Sequence, residues 1–157
     1  MPEIDVVDEA IIEADVATVF KAITDEAAGK THWWRPYWEG KPRGGIPPDQ
    51  VGGMIDITVR KRATVRFTAK TVEVTQNLLQ VEFVEGAYRG EGIWIFEPVD
   101  GKTRLRYRWR VQPTGWLRWL LRLAPASERK GRSHHEVMKA GFEGLNQYVK
   151  QLKAQAV

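Results

Sequence analysis

The 157-residue chain contains no cysteine, which removes disulfides, thiolate metal sites and cysteine nucleophiles together and fits a reducing compartment. Its opening residues, Met1-Pro2-Glu3-Ile4-Asp5, place acids where a secretory signal carries lysines and an apolar run, so the cytoplasm is the expected location. No window is apolar for long enough to span a bilayer, and neither an internal repeat nor a low-complexity tract is present. Paired carboxylates, a nucleophile triad and a spaced set of metal ligands are likewise missing as sequence patterns. Charge of one sign is modest: the net +4, with a pI near 9.4, falls well short of a nucleic-acid-binding tail. The length suits one domain, residues 1–157, able to bury its own core.

What the sequence does have is aromatic mass. Seven tryptophans, four tyrosines and five phenylalanines are heavy usage for this size, and such groups are enriched where a protein grips large apolar ligands.

Periodicity places the elements. Residues 3–13 mix β-branched side chains with acids and read as a first strand. Asp15 is positioned to cap a helix in which Val16, Val19, Phe20 and Ile23 share one face, ending near Gly29. Thr31 to Trp38 reads as an aromatic turn, followed by a loop through the Gly/Pro-rich stretch Gly40 to Pro48. Ile55, Ile57 and Val59 then alternate with polar residues and mark a strand closed by the basic turn Arg60-Lys61-Arg62. Val65, Phe67 and Ala69 share the face of the next strand, whose phase changes toward Val72 and Val74 and requires a bend near Lys70-Thr71. Strands follow around Leu79, Val81 and Phe83, and around Gly92, Trp94 and Phe96. The clearest strand is the last, where Thr103, Leu105, Tyr107, Trp109 and Val111 alternate with Arg104, Arg106, Arg108 and Arg110.

A short apolar segment, Trp116 to Leu123, reads as one or two helical turns broken by Ala124-Pro125. A final helix starts between Ser127 and Ser133 and runs to about Lys153. Ser133 and Glu136 have capping-box spacing, and Met138, Phe142, Leu145, Val149 and Leu152 form the apolar stripe. The class is therefore α+β: a curved antiparallel sheet of about six strands wrapped on a long C-terminal helix, with one or two short helices after the first strand. A gap is expected wherever the facing side chains are small, as at Gly141 and Gly144.

Several runs carry a resemblance: Trp33-Trp34; Gly90-Glu91-Gly92 with Trp94, Phe96 and Pro98; Asp100 to Arg104 leading to Tyr107 and Trp109; and His134-His135 with Met138, Gly141 and Leu145. On these, over about Glu3 to Leu152, the chain resembles the START-like or polyketide cyclase and dehydrase superfamily, which has the helix-grip fold. That resemblance implies a hydrophobic cavity and an apolar, lipid- or polyketide-like ligand. None of the matching runs is a catalytic signature.

Candidate ligand-binding residues are Trp33, Trp34, Phe67, Phe83, Trp94, Phe96, Tyr107, Trp109, His134, Met138, Gly141 and Phe142; each aromatic has solid core packing as its competing role. His134 and Tyr107 are the candidate catalytic groups. Steps of seven from His134 reach Gly141 and Tyr148, so His134 can look into space vacated by Gly141, or can simply sit in the first helical turn. Tyr88 and Tyr107 can orient a ligand carbonyl or bond to backbone. Adjacent histidines point about 100° apart, so no metal site is expected from His134-His135, and no cofactor is expected.

The arginine ladder, with Arg66 and Lys70, is read as a solvated face balanced by Glu82, Glu91 and Glu97, because the aromatics lie on the opposite face from the charges. No nucleic-acid partner is expected. Trp116 to Leu123 is a lid, a core turn or a membrane contact without stable anchoring. A monomer or weak homodimer binding a hydrophobic small molecule is the leading expectation. A cyclase or dehydratase using the same cavity is the alternative.

Overall fold

The computed structural model describes residues 4–126 and 131–156. Strand β1 (Ile4–Ile12) is followed by helix α1 (Val16–Ala27), whose Asp15 side chain accepts the Thr18 amide at 3.0 Å, as a capping acid should. Six strands then run in succession: β2 (Trp38–Arg43), β3 (Met54–Arg60), β4 (Thr64–Val74), β5 (Leu78–Gly86), β6 (Tyr88–Val99) and β7 (Lys102–Pro113). Helix α2 (Gly115–Leu123) and the 24-residue α3 (Arg132–Gln155) close the order.

All seven strands form one antiparallel sheet in the order β1-β7-β6-β5-β4-β3-β2, with β1 laid beside β7 so that Val6 faces Trp109. The expected curved sheet on a long C-terminal helix is thus present, with one strand more than the sequence pattern indicates. The extra one is β2, in the stretch read as a turn and loop. Pro42 is tolerated there because β2 is an edge strand paired only with β3. At Gly40 an added Cβ would meet the Ala27 carbonyl at 2.6 Å, so the glycine admits the end of α1 rather than breaking the strand.

Curvature comes from irregularities. Register shifts in β4 at Thr68/Ala69 and Thr71/Glu73 flank the expected bend. In β6, Gly90 holds φ +139° with its Cα so close to β7 that a Cβ would lie 2.0 Å from the Arg110 carbonyl oxygen.

Helix α3 crosses the inner face and buries Val137, Met138, Gly141, Phe142, Leu145 and Val149. Its start corrects the capping-box expectation. Gly131, at φ +88°, precedes Arg132 with no side-chain cap, and Glu136 pairs instead with Lys61 at 3.1 Å and Arg132 at 3.3 Å.

On the outer face the arginines do meet acids. Arg104 pairs with Glu97, Arg106 with Glu9 and Glu97, Arg108 with Asp5, and Arg110 with Glu91. Glu91 and Glu97 are as expected. Asp5 and Glu9 of β1 take the share assigned to Glu82, because β1 rather than β5 is the second neighbour of β7.

Candidate functional site

The interior is hollow at one end. A cavity of about 250 Å³ lies between the inner faces of β3 to β7, the end of α1, α2 and the first two turns of α3. Its walls are built from aromatic rings in sequence of contact. Trp33 stacks on Trp34 at 5.5 Å, and Trp34 stacks on Trp38 at 5.0 Å and meets Trp94 edge-on at 6.3 Å. Trp94 stacks on Tyr107 at 4.1 Å; His134 lies flat against Trp109 at 4.3 Å. Phe67 meets Phe83 and Tyr88 edge-on. Aliphatic side chains such as Ile55, Val59, Val81 and Met138 complete the surface.

The tryptophan wall is held by Glu26, which is 3% exposed at the end of α1. Its side-chain oxygens accept the Thr31 hydroxyl at 2.6 Å and the amides of Trp33 and Trp34 at 3.2 and 3.0 Å. The indoles then donate to backbone carbonyls, Trp33 to Ala22 at 3.3 Å and Trp34 to Val137 at 2.9 Å, tying the segment to both α1 and α3. A buried acid surrounded by donors in this way orders an otherwise irregular segment.

Of the residues expected from sequence, Trp33, Trp34, Phe67, Phe83, Trp94, Tyr107, Trp109, His134 and Met138 line the cavity. Phe96, Gly141 and Phe142 do not. Phe96 packs against Phe20 at 5.3 Å. Gly141 opens no space for His134, since a Cβ there would strike the Trp34 indole at 2.5 Å. Gly144 is filled likewise by the Trp33 backbone. The small residues of α3 therefore admit the Trp33-Trp34 segment and leave no void of their own.

A polar cluster adjoins this apolar space through His134 and Tyr107. Asp8, on the inner side of β1, sits opposite Tyr107 in register and is reached by both histidines of α3. His134 Nδ1 lies 3.1 Å from one carboxylate oxygen and His135 Nδ1 2.5 Å from the other. The neighbours on a helix do converge on one group, contrary to the expectation from their 100° separation, because the shared carboxylate lies between their directions. Their donor atoms and that of Asp8 fall within 4.8 Å of one another, a combination of imidazole and carboxylate that suits a transition-metal ion.

Burial holds His134 below its ordinary pKa even though Asp8 pulls the other way. Burial alone would raise Asp8, but its contacts with His134 and His135 together outweigh that and hold it low. His134 is thus a neutral imidazole near pH 7, with Nδ1 turned to Asp8. The Tyr107 hydroxyl is pushed up by burial and by Asp8, so it stays protonated. It reaches over Gly92, where a Cβ would lie 2.5 Å from the hydroxyl.

Asp8 and Glu26 were not identified from the sequence, although each leaves a trace there. Asp8 is the one acid in the inward-facing series Ile4, Val6, Asp8, Ala10 and Ile12. Glu26 continues the apolar spacing of Val19, Ala22 and Ile23.

Helix α2 forms the remaining wall. Leu117 and Leu121 face the cavity, whereas Trp116, Trp119, Leu120 and Leu123 are exposed. No residue of α2 is buried, so the core-turn reading of this segment is incorrect.

A family model described as "Polyketide cyclase / dehydrase and lipid transport" matches residues 3–150. No curated protein matches the chain in sequence. Among solved structures the chain is similar to TTHA0849 from Thermus thermophilus, at 20% identity and a TM-score of 0.69, with 94% of this chain and 98% of that one covered. A START superfamily protein from Mycobacterium smegmatis is similar at 14% identity, with the same TM-score and coverage. NE0264 from Nitrosomonas europaea is similar at 18% identity and a TM-score of 0.64, with 97% of each chain covered. At such identities the likeness establishes the fold.

Proposed function

The chain belongs to the polyketide cyclase / dehydrase and lipid transport family, and from the cavity it encloses we propose that it binds a compact hydrophobic or aromatic small molecule between the sheet and α3. The observation that carries this reading is an apolar cavity of about 250 Å³, walled by stacked indoles and lined by Tyr107 and His134 as its polar groups. Ligand sites are commonly of this kind: mostly apolar, with a few polar groups that fix orientation. The volume lies near the lower end of such sites, which favours one or two fused rings or a short chain over a whole diacyl lipid. Trp94 and Trp109 supply stacking faces. Tyr107 donates to a ligand carbonyl, and His134 offers its Nε2 lone pair to a ligand hydroxyl while Nδ1 faces Asp8.

Native mass spectrometry of the purified protein against fatty acids, sterols and aromatic polyketides tests the proposal. One apolar molecule retained per chain is expected; no retention of any class contradicts it.

A second reading, aldol cyclisation or dehydration in the same cavity, is favoured by the contact between Asp8 and His134. A carboxylate beside an imidazole is how a general base is oriented, and here Asp8 Oδ2 and His134 Nδ1 lie 3.1 Å apart, one small rotation short of a hydrogen bond. A product of altered mass in the same experiment, lost in His134→Phe, distinguishes turnover from binding.

A further inference from the structure

Among the described residues nothing covers the outer face of α2. Trp116, Trp119, Leu120 and Leu123 are 61%, 69%, 52% and 84% exposed, a contiguous apolar surface on one nine-residue helix. Single exposed apolar residues are ordinary, but two tryptophans and two leucines side by side mark a contact surface. Cations stand among them. Arg118 and Arg122 are exposed on the helix, and residues 114–126 contain no acid. The Arg122 guanidinium lies over the Trp119 ring at 5.8 Å. The β3–β4 turn adds Arg62 and Lys61, the latter paired with Glu136, to the wall that α2 shares.

We propose that the outer face of α2 docks reversibly on an anionic lipid bilayer. Indole rings and leucines facing out with arginines among them suit the boundary between headgroups and acyl chains, where arginines meet lipid phosphates and tryptophans sit at the interface. A second copy of the chain fits less well. Two such helices face to face would oppose like charges, and a helix about 14 Å long is small for the roughly 800 Å² per partner of a stable interface. The helix is also far too short to span, and no helix among the described residues is long and apolar enough to cross a membrane. Docking is therefore peripheral. Because Leu117 and Leu121 on the opposite side of α2 face the cavity, docking sets the cavity wall against the bilayer.

Docking of this kind requires no guest in the cavity, so its test is independent of the ligand. The full chain is sedimented with vesicles of phosphatidylcholine alone and of phosphatidylcholine with 30% phosphatidylglycerol (about the anionic fraction that gives a useful surface potential), and tryptophan emission is followed with brominated lipid as quencher. Binding to the anionic vesicles, weakened by salt, with quenching of emission, is expected. Trp119→Ser/Leu123→Ser and, separately, Arg118→Glu/Arg122→Glu should each weaken binding about tenfold or more. All four residues are exposed, and unchanged circular dichroism and melting check that the variants fold. Absence of binding by the parent chain overturns the proposal. So does binding that both variants retain, or concentration-dependent dimerisation in sedimentation velocity that the serine variant abolishes.

Discussion

Helix α3 lies over two halves of one interior, and they differ in kind. Toward its C-terminal end, Leu145 and Val149 are fully buried along with Ile12, Phe96 and Leu105, and none of these residues touches the cavity. Toward its N-terminal end, His134, Val137 and Met138 face open space walled by indoles. The same apolar stripe serves both. What separates them is the Trp33-Trp34 segment, which enters at Gly141 and Gly144 and ends the packed half. A stripe records which way a helix faces; whether the facing volume is filled depends on elements distant in sequence.

The largest expected effect is on the packed half. Leu145→Ala should cost about 2–5 kcal/mol in chemical denaturation, whereas Val81→Ala on the cavity wall should cost about 1 kcal/mol, because its neighbours already face space. Equal losses would erase the distinction between the halves. Glu26→Ala tests the partition between them. Two backbone amides and one hydroxyl lose their acceptor, and a loss of about 3 kcal/mol is expected, together with a red shift in tryptophan emission as the Trp33-Trp34 wall loosens. Gly141→Ala sharpens the same point. Alanine ordinarily favours a helix over glycine by about 1 kcal/mol, yet here the methyl group must displace the Trp34 indole, so a net loss of about 1–2 kcal/mol is expected.

Acid should act on the hollow half. His134 has a folded-state pKa below the ordinary 6.5, so the unfolded chain takes up its proton first. The stability tied to its neutral form is complete above that value and is lost as pH falls below it. Asp8, also held low, adds a loss in the same direction at lower pH. The melting temperature should therefore fall between pH 7.5 and 5.5, and fall less in His134→Phe, which keeps the stack on Trp109. An identical fall in both would contradict the assignment. The smallest effect belongs to the outer face: Arg108→Ala removes only an exposed pair with Asp5, and the denaturation midpoint should stay within experimental error.

How much was legible in the sequence follows the same division. Alternation gave β7 and its arginine face, and Asp15 gave the start of α1, because these features are local. The strand β2 was hidden by Gly40 and Pro42, whose tolerance depends on an edge position and on α1 beside it. Phe96, Gly141 and Phe142 carry the residue types of a cavity wall but lie on the packed side, a difference that only the crossing of Trp33-Trp34 decides. Asp8 was passed over among the acids of β1, and its convergence with residues more than 120 positions away is a property of the β1–β7 pairing.

The most direct test of the hollow interior is a fluorescence titration of the protein with 2-naphthol, a planar apolar probe, beside the cavity-filling variant Val59→Trp. Saturable one-to-one binding by the parent chain is expected, and its loss in a variant that melts no lower. Undiminished binding by the filled variant, or none by the parent, would contradict it.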